Sequence, residues 1–223
     1  MRDVSLVVAD EVHLINDAER GPTLEVVLVR LRQLNPKMQI LALSATISNA
    51  DEIAGWLGAE AITTDWRPIP LKEGVILRDE MLFKDGGATK IEKLTRNPSI
   101  DVALHVLNGG GQTLIFTGTR KGSVDLARKV AGHMKGFISK PMERTLSGMA
   151  GRVLTVGERT RISEVLSEVV KHGVAFHHAG LASSHRRLIE EFFRSGRIKV
   201  LTATPTLASG VNLPARTVIV HDY

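Results

Sequence analysis

Short, almost continuous apolar runs alternate along this chain with longer segments of helical periodicity, and this alternation constrains the fold more than any other sequence feature. The runs cover residues 4–9, 38–43, 113–116, 174–176, 199–202 and 217–220. Strands buried on both faces read as continuous apolar runs, and helices between them are the usual crossovers of a parallel sheet. The sequence therefore predicts an α/β fold built on parallel sheets.

Six segments have the apolar spacing of helices that cover such a sheet. They span residues 22–34, 50–57, 100–107, 123–134, 159–170 and 183–193. A serine cap at Ser183 is expected to open the last of them. Residues 61–64 are a further possible strand and residues 74–77 are strand-like. The stretch 78–97 has no clear periodicity and is interpreted as an insertion, and residues 136–157 are predicted to be irregular.

A domain boundary is predicted at residues 65–71, which break both periodicities and include two prolines. It separates a first domain, residues 1–64, from a second, residues 72–223. Residues 1–70 carry 6 Lys and Arg against 10 Asp and Glu, whereas residues 71–223 carry 23 against 14. The second part is therefore the better candidate for a polyanion surface, with a basic solvated face as the alternative.

The composition excludes several classes of site. Cysteine is absent, which removes disulfides, thiolate zinc sites and cysteine nucleophiles, and a reducing cytoplasm is the expected location. The first residues lack the pattern of a secretion signal, and no run of about 18 apolar residues occurs. We therefore expect no membrane partner.

The first apolar run ends in Asp10, Glu11, Val12 and His13, which resembles the second motif of superfamily-two helicases in its DExH form. Ligand sites in open parallel sheets lie at the carboxyl ends of the strands. One carboxylate there can anchor a nucleotide-bound Mg²⁺ while its neighbour orients the attacking water. Asp10 would hold the metal and Glu11 would be the base. An acidic strand end that begins a loop is the alternative.

The next predicted strand ends in Leu-Ser-Ala-Thr, residues 43–46, where the family has its Ser-Ala-Thr motif. A parallel strand and its crossover successor end on the same edge of a sheet. The hydroxyls of Ser44 and Thr46 could therefore hydrogen-bond with the carboxylates and His13. In a helicase of this family, such a network could couple the binding and hydrolysis of ATP to closure of the two lobes of the motor. A helix cap at Ser44 or Thr46 is the alternative.

Residues 114–121, an apolar strand that breaks into hydroxyl and cationic residues, resemble the family's fourth motif. A strand end that opens a helix presents free backbone N–H groups, and an added hydroxyl and Arg make a phosphate clamp. The resemblance assigns the phosphate contact to Thr119 and Arg120. A helix N-cap beside a solvated cation fits Thr119 equally well.

Residues 176–181, Phe-His-His-Ala-Gly-Leu, are similar to the family's segment between its fourth and fifth motifs. Adjacent histidines do not share a strand face or a helix face, which disfavours a zinc site. His178 is expected to contact nucleic acid or the other lobe. A generic loop histidine is the alternative.

Residues 200–215, VLTATPTLASGVNLPA, match the fifth motif of superkiller-type helicases along their length. The resemblance puts Thr204 on a nucleic-acid phosphate. It places Gly210 and Asn212 so that they face the nucleotide across the cleft. Glycine suits a position where backbone must approach a ligand closely.

Together, the ordered motifs and the connecting segments resemble superkiller-type superfamily-two helicases, especially the archaeal Holliday-junction-migration type. The resemblance implies two RecA-like parallel-sheet lobes, the first incomplete and the second nearly complete. It also implies ATP and Mg²⁺ as cofactors and 3′ to 5′ translocation on single-stranded or forked DNA in repair. RNA stays open as a substrate, because the class includes RNA helicases. A naturally truncated nucleic-acid-binding module is a further alternative.

The phosphate-binding pattern Gly-x-x-x-x-Gly-Lys-Ser/Thr does not occur in this sequence. The resemblance places that loop upstream of Asp10 and a sixth motif with ATP-facing arginines beyond Tyr223. We therefore expect the chain to be a central piece of a helicase motor, with further domains in the parent protein. The 223 residues by themselves are expected to lack ATPase activity.

Overall fold

In a computed structural model, the chain is described over residues 4–45, 47–64, 66–207 and 212–222. It divides into two compact units, residues 1–71 and 72–223. Both units contain parallel β-sheet accompanied by helices, which confirms the predicted α/β class.

The first unit is a strand–helix–strand arrangement followed by a short helix. Its elements are β1 (Leu6–Ala9), a 3₁₀ turn (Val12–Asn16), α1 (Gly21–Leu34), β2 (Gln39–Ala42) and α2 (Ala50–Leu57). β1 and β2 pair in parallel, with Ala9 opposite Ala42. The prediction that these two strands are buried on both faces is wrong, because their side chains alternate between exposed and more buried positions, as in a sheet with one covered face. A small core of Ala9, Val12, Leu28, Ile53 and Leu57 lies between the helices and the strands.

The entry into α1 depends on a close backbone approach. A Cβ at Gly21 would overlap the carbonyl oxygen of Ile15, so this position has room only for glycine. The Gly21 N–H also donates to the carbonyl of Asp17 at 2.8 Å. The helix is thus packed directly against the 3₁₀ turn that follows β1.

The strand predicted at residues 61–64 is wrong, because these four residues form no strand in the structure. Gly58 ends α2 in the left-handed backbone conformation, with a φ of 61°. An isolated β segment has no ladder to satisfy its backbone N–H and C=O groups, and β1 and β2 are the strands found in the described part of this unit.

The second unit opens with an antiparallel three-stranded sheet. β3 (Gly74–Leu77), β4 (Glu80–Phe83) and β5 (Ala88–Lys90) are connected by tight turns. Arg78 and Gly86 take positive φ values of 60° and 84° in those turns. The stretch interpreted as an insertion without clear periodicity therefore contains two strands. They are too short and too exposed to show alternation in the sequence.

The larger part of the second unit is a four-stranded parallel sheet in the order β7, β8, β6, β9. Its strands are β6 (Thr113–Phe116), β7 (Val174–His177), β8 (Val200–Ala203) and β9 (Thr217–Val220). Its helices are α3 (Pro98–Asn108), α4 (Arg120–His133), α5 (Lys140–Thr155), α6 (Arg161–Val170) and α7 (Ser183–Arg194). Phe116 pairs with Ala203, which pairs with His177, so the strand ends meet at one edge.

The prediction that residues 136–157 are irregular is wrong, because α5 occupies most of them. Gly148 and Gly151 lower the intrinsic helix propensity of this segment. Burial of Leu146 and Val153, both 0% exposed, offsets that cost through packing in the core.

The serine cap predicted for α7 is also wrong. Ala182 is the N-cap and supplies no side-chain hydrogen bond, and Ser183 is already the first helical residue. The helix is held instead by the burial of Leu188, Ile189 and Phe193. Among the helices of the described ranges, none is both long and apolar enough to cross a membrane.

Candidate functional site

The carboxyl ends of β1 and β2 meet, and their following loops are joined by main-chain hydrogen bonds. The Leu43 N–H donates to the carbonyl of Ala9 at 2.8 Å, and the Val12 N–H donates to the carbonyl of Leu43 at 2.9 Å. These bonds hold the loop that carries Asp10 against the segment that carries Ser44. Both loops therefore lie at the edge where parallel sheets bind ligands.

Glu11 has an unusual backbone conformation, with φ 55° and ψ 40° in the left-handed region. A residue with a Cβ is uncommon there, and such strain clusters at functional sites. Oδ1 of Asp10 accepts a hydrogen bond from the Glu11 N–H at 2.9 Å. This bond stabilises the turn, and the side chain of Glu11 is exposed.

His13 lies beside Glu11, with its Nδ1 3.4 Å from Oε2 of that carboxylate. Nδ1 is buried and makes no hydrogen bond of acceptable geometry within the described ranges. The three residues predicted to be catalytic, Asp10, Glu11 and His13, are thus together in one turn.

For Ser44, the structure shows a different hydrogen-bond partner from the predicted carboxylates. Its hydroxyl donates to the carbonyl of Ala45 at 2.9 Å instead. A serine hydroxyl has one proton, and a nearby backbone acceptor competes for it. Thr46, the other residue predicted for this network, lies outside the described residues.

The carboxylates at the strand ends of the first unit are suited to a metal ion that is bound together with a nucleotide. No group of three or more His, Cys, Asp or Glu residues in the described ranges could hold a metal ion. Mg²⁺ is usually held by one or two carboxylates together with substrate phosphates and waters, and Asp10 and Glu11 supply hard oxygen donors of that kind.

The second parallel sheet has its own edge, and main-chain hydrogen bonds connect the loops there. The Thr117 N–H donates to the carbonyl of Ala203 at 2.8 Å. The Thr204 N–H donates to the carbonyl of His177 at 3.2 Å. The loops after β6, β7 and β8 are therefore fixed relative to one another.

Thr119 is the N-cap of α4, because its Oγ1 accepts a hydrogen bond from the Gly122 N–H at 2.9 Å. Arg120 follows as the first helical residue and is exposed. Its Nη1 faces the loop after β7, since a Cβ at Gly180 would lie 3.5 Å from it. The structure thus brings Arg120 close to the segment of His178, while the capping alternative for Thr119 is also realised.

His178 is buried, and its ring stacks on that of Phe176 with centroids 5.7 Å apart. Its Nδ1 accepts a hydrogen bond from the Gly180 N–H at 3.1 Å. Burial lowers the pKa of His178 below the usual 6.5, and the charges of Arg120 and His177 lower it further. A neutral ring whose Nδ1 accepts carries its proton on Nε2, which is then a donor.

The residues of the fifth motif are only partly described. Thr204 is buried, and its hydroxyl shares a hydrogen bond of 2.9 Å with that of Thr206. Gly210 lies outside the described residues. Asn212 is exposed, and its carbonyl accepts a hydrogen bond from Nε of Arg194 at 3.4 Å.

Two residues near this edge were missed by the sequence reasoning, His177 and Glu190. Nε2 of His177 lies 3.1 Å from Oε1 of Glu190. Burial lowers the pKa of His177 below 6.5, and the hydrogen bond and charge of Glu190 oppose that shift in part. The sequence contains no signal for this pair, because 13 residues and a loop separate its members.

Known proteins resemble the chain over both units. Residues 1–53 match the family model of DEAD/DEAH box helicases, and residues 142–223 match that of the helicase conserved C-terminal domain. The chain is 46% identical over 99% of its length to the ATP-dependent DNA helicase Hel308 of Methanocella arvoryzae. The proteins of that name from Caldivirga maquilingensis and Thermoplasma acidophilum are 43% and 44% identical, over 99% and 100% of this chain.

The chain spans less than a third of each of these relatives, covering 30%, 29% and 30% of their lengths in the same order. The matches therefore concern one segment of a longer type of protein. They include both edges described above, from the turn of Asp10 to the segment of Asn212.

Proposed function

Because this chain belongs to the superfamily-two helicases, we propose that it forms part of an ATP-dependent motor that moves 3′ to 5′ along single-stranded DNA. The observation that carries this proposal is the position of Asp10, Glu11 and His13 in one turn at the carboxyl edge of two parallel strands. We assign residues 1–64 to the first RecA-like lobe and residues 72–223 to the second.

In the first unit, Asp10 would hold the Mg²⁺ that accompanies ATP, and this ion would neutralise charge on the phosphates. The carboxylate of Glu11 would orient the attacking water and accept its proton. Asp10 and Glu11 are both exposed at this turn, so one carboxylate is free to serve the metal and the other the water. His13 would contact the base.

In the second unit, Thr119, Arg120, His178 and Thr204 would contact phosphates of the nucleic acid. Capping does not prevent this role for Thr119, because its oxygen accepts from Gly122 while its proton stays able to donate. Arg120 would supply the charge, and His178 would donate through Nε2. Such contacts bind the backbone without reading the base sequence.

The remaining assignments rest on the same family membership. Asn212 and Gly210 would face ATP, and Ser44 and Thr46 would couple its state to movement of the lobes. We favour DNA over RNA because the similar proteins are named as DNA helicases. From the same resemblance, we propose forked DNA as a substrate and DNA repair as the process in which the motor acts.

A hybrid protein tests the motor assignment. This chain replaces the homologous 224-residue segment of the Methanocella arvoryzae helicase, and ATP hydrolysis is measured with and without single-stranded DNA. We expect DNA-stimulated hydrolysis that Glu11→Gln abolishes while ATP binding is retained. Glu19→Gln, an exposed carboxylate of the same unit, is the matched control and should leave turnover unchanged. Equal turnover in both variants would show that Glu11 is not the base.

The choice of nucleic acid is tested with the hybrid and with the 223-residue chain. Oligonucleotides of identical sequence, as single-stranded DNA and as single-stranded RNA, are compared for binding and for stimulation of ATP hydrolysis. Stimulation by DNA is expected to be the greater. Greater stimulation by RNA would reverse the substrate assignment and leave the motor assignment standing.

A further inference from the structure

Glu190 of α7 connects two segments that are distant in sequence. Its side chain is 14% exposed, and its two carboxylate oxygens have different partners. Oε1 lies 3.1 Å from Nε2 of His177, and Oε2 accepts from Nη2 of Arg194 at 3.4 Å. A mostly buried carboxylate destabilises the fold unless each of its oxygens has a hydrogen-bond partner. We therefore expect both contacts to hold the Glu190 side chain in one position.

The His177 side of this connection reaches the nucleic-acid edge. Nδ1 of His177 has no hydrogen-bond partner within the described ranges, so Glu190 is the group that orients the ring. The His177 carbonyl accepts from the Thr204 N–H, and His178 follows directly in the chain. The position of His177 therefore determines where two proposed phosphate contacts lie.

Arg194, the other partner of Glu190, contacts the fifth-motif segment at Asn212. Nε of Arg194 donates to the carbonyl of Asn212, while its Nη2 is paired with Glu190. The planar guanidinium can serve both acceptors at once because its N–H groups point in fixed, separate directions. Glu190 thus connects to the fifth-motif segment at Thr204 through His177 and at Asn212 through Arg194.

We propose that Glu190 is a positioning residue for nucleic-acid binding, acting through His177 on His178 and Thr204, while its pair with Arg194 keeps the Glu190 carboxylate in place. This inference rests on the proposed function, since it assigns a role in the same phosphate contacts. Glu190 itself touches no nucleic acid. A carboxylate near a polyanion repels it. If Glu190 had no positioning role, its negative charge would only weaken the binding of nucleic acid.

The test uses the opposite changes in DNA affinity that a positioning role and simple charge repulsion predict when Glu190 loses its charge. Binding of a fluorescent single-stranded DNA to the 223-residue chain is measured over a range of salt concentrations. Glu190→Gln removes a negative charge, which by electrostatics would strengthen binding. We expect the opposite, a loss of roughly tenfold at an unchanged salt slope, the size of one lost charge-assisted hydrogen bond.

The matched control is Glu191→Gln, the same change one residue further along α7. Glu191 is exposed and pairs with Arg152 on another face of the helix. This variant should bind as the unaltered chain does, or slightly more tightly. Arg194→Lys keeps the charge but holds the Glu190 carboxylate less firmly, and we expect it to weaken binding about threefold. Arg197→Lys, on an exposed neighbouring residue, should have no effect.

Amide exchange followed by NMR separates positioning from a loss of folding. In Glu190→Gln, the amides of Thr204 and Gly180 should exchange faster while those of β6 keep their protection. Unchanged affinity or unchanged protection of these two amides would overturn the inference while the proposed function stands. Absence of DNA binding by the unaltered chain would overturn both.

Discussion

The main-chain N–H of Gly180 donates a hydrogen bond to Nδ1 of His178 across 3.1 Å. This bond fixes which ring nitrogen can carry the proton when His178 is neutral. It also explains why Gly180 has little room for a side chain, since a Cβ there would lie 3.0 Å from the same Nδ1. The proposed nucleic-acid donor, Nε2, is therefore selected by the backbone of the adjacent turn.

The pKa of His178 should respond to Arg120. Burial lowers this pKa most, and the positive charge of Arg120 lowers it further. Arg120→Gln should therefore raise the pKa of His178 towards 6.5, as measured by NMR titration of the ring resonances. Lys121→Gln, a cation one residue further along α4, is the control and should change it less. A larger shift in the Lys121 variant would show that Arg120 is not the cation facing His178.

The free energy of unfolding should decrease as the pH is lowered from about 7.5 to about 5.5, a window around the ordinary His pKa. The pKa values of His177 and His178 are both lowered in the folded state, chiefly by burial. The unfolded chain therefore binds more protons just below pH 6.5, and stability is lost there as the pH falls. Glu190 and Arg186 are the charged groups that act on His177, with opposite effects on its pKa.

Urea unfolding at several pH values measures this dependence. Replacing His177 by Gln should flatten it, whereas replacing the exposed His172 by Gln should leave it in place. A chain that becomes more stable as the pH falls from about 7.5 to about 5.5, rough limits above and below the ordinary His pKa, would contradict the assignment.

Glu11→Gly should stabilise the first unit while removing the proposed base. The left-handed conformation costs a residue with a Cβ about 1 kcal/mol, and glycine adopts it freely. Glu19→Gly, in an exposed turn whose φ is not positive, should instead destabilise by about 0.5–1 kcal/mol through the unfolded state. Urea unfolding of the first unit gives both values, and a loss of stability in the Glu11 variant would show that its conformation is not strained.

Arg120→Gln should flatten the salt dependence of single-stranded DNA binding. Each phosphate contact on a single strand contributes about 0.7 to the slope of log affinity against log salt concentration. Arg128→Gln on the same helix is the control, because Arg128 lies near Asp125 and is assigned no phosphate. Fluorescence anisotropy at several salt concentrations measures the slopes. An equal slope in the Arg120 variant and the unaltered chain would remove Arg120 from the phosphate contacts.

Much of the site followed from the sequence because its signals are local. Val4 to Ala9 form a nearly continuous apolar run, and such a run ahead of Asp10 and Glu11 correctly indicated a strand that delivers two carboxylates, although the strand is mostly exposed and not buried. The parallel pairing of this strand with Gln39–Ala42 follows from the single helix between them. The same reasoning located Arg120 and Thr204 at strand ends of the second sheet.

Other features depend on contacts that local patterns do not contain. The helix Lys140–Thr155 forms although Gly148 and Gly151 disfavour it, because its apolar side chains enter a core built by distant strands. The hydroxyl of Ser44 binds its neighbour's carbonyl rather than a carboxylate, a choice among acceptors that depends on the loop conformation.

By itself, the sequence determined the α/β class, the order of the motifs and the strand ends that carry Asp10, Glu11, Arg120 and Thr204. These depend on the apolar composition of short runs and on backbone connectivity, which are properties of residues near one another in the chain. Only the tertiary structure decided that Glu190 orients His177, that Gly180 sets the proton of His178, and that Glu11 takes a left-handed turn. The first relationship requires the packing of separate elements, since the hydrogen bond between His177 and Glu190 exists only once the fold has brought its two atoms within reach. The other two are local conformations, and a short segment adopts one conformation among several only when the surrounding structure holds it there.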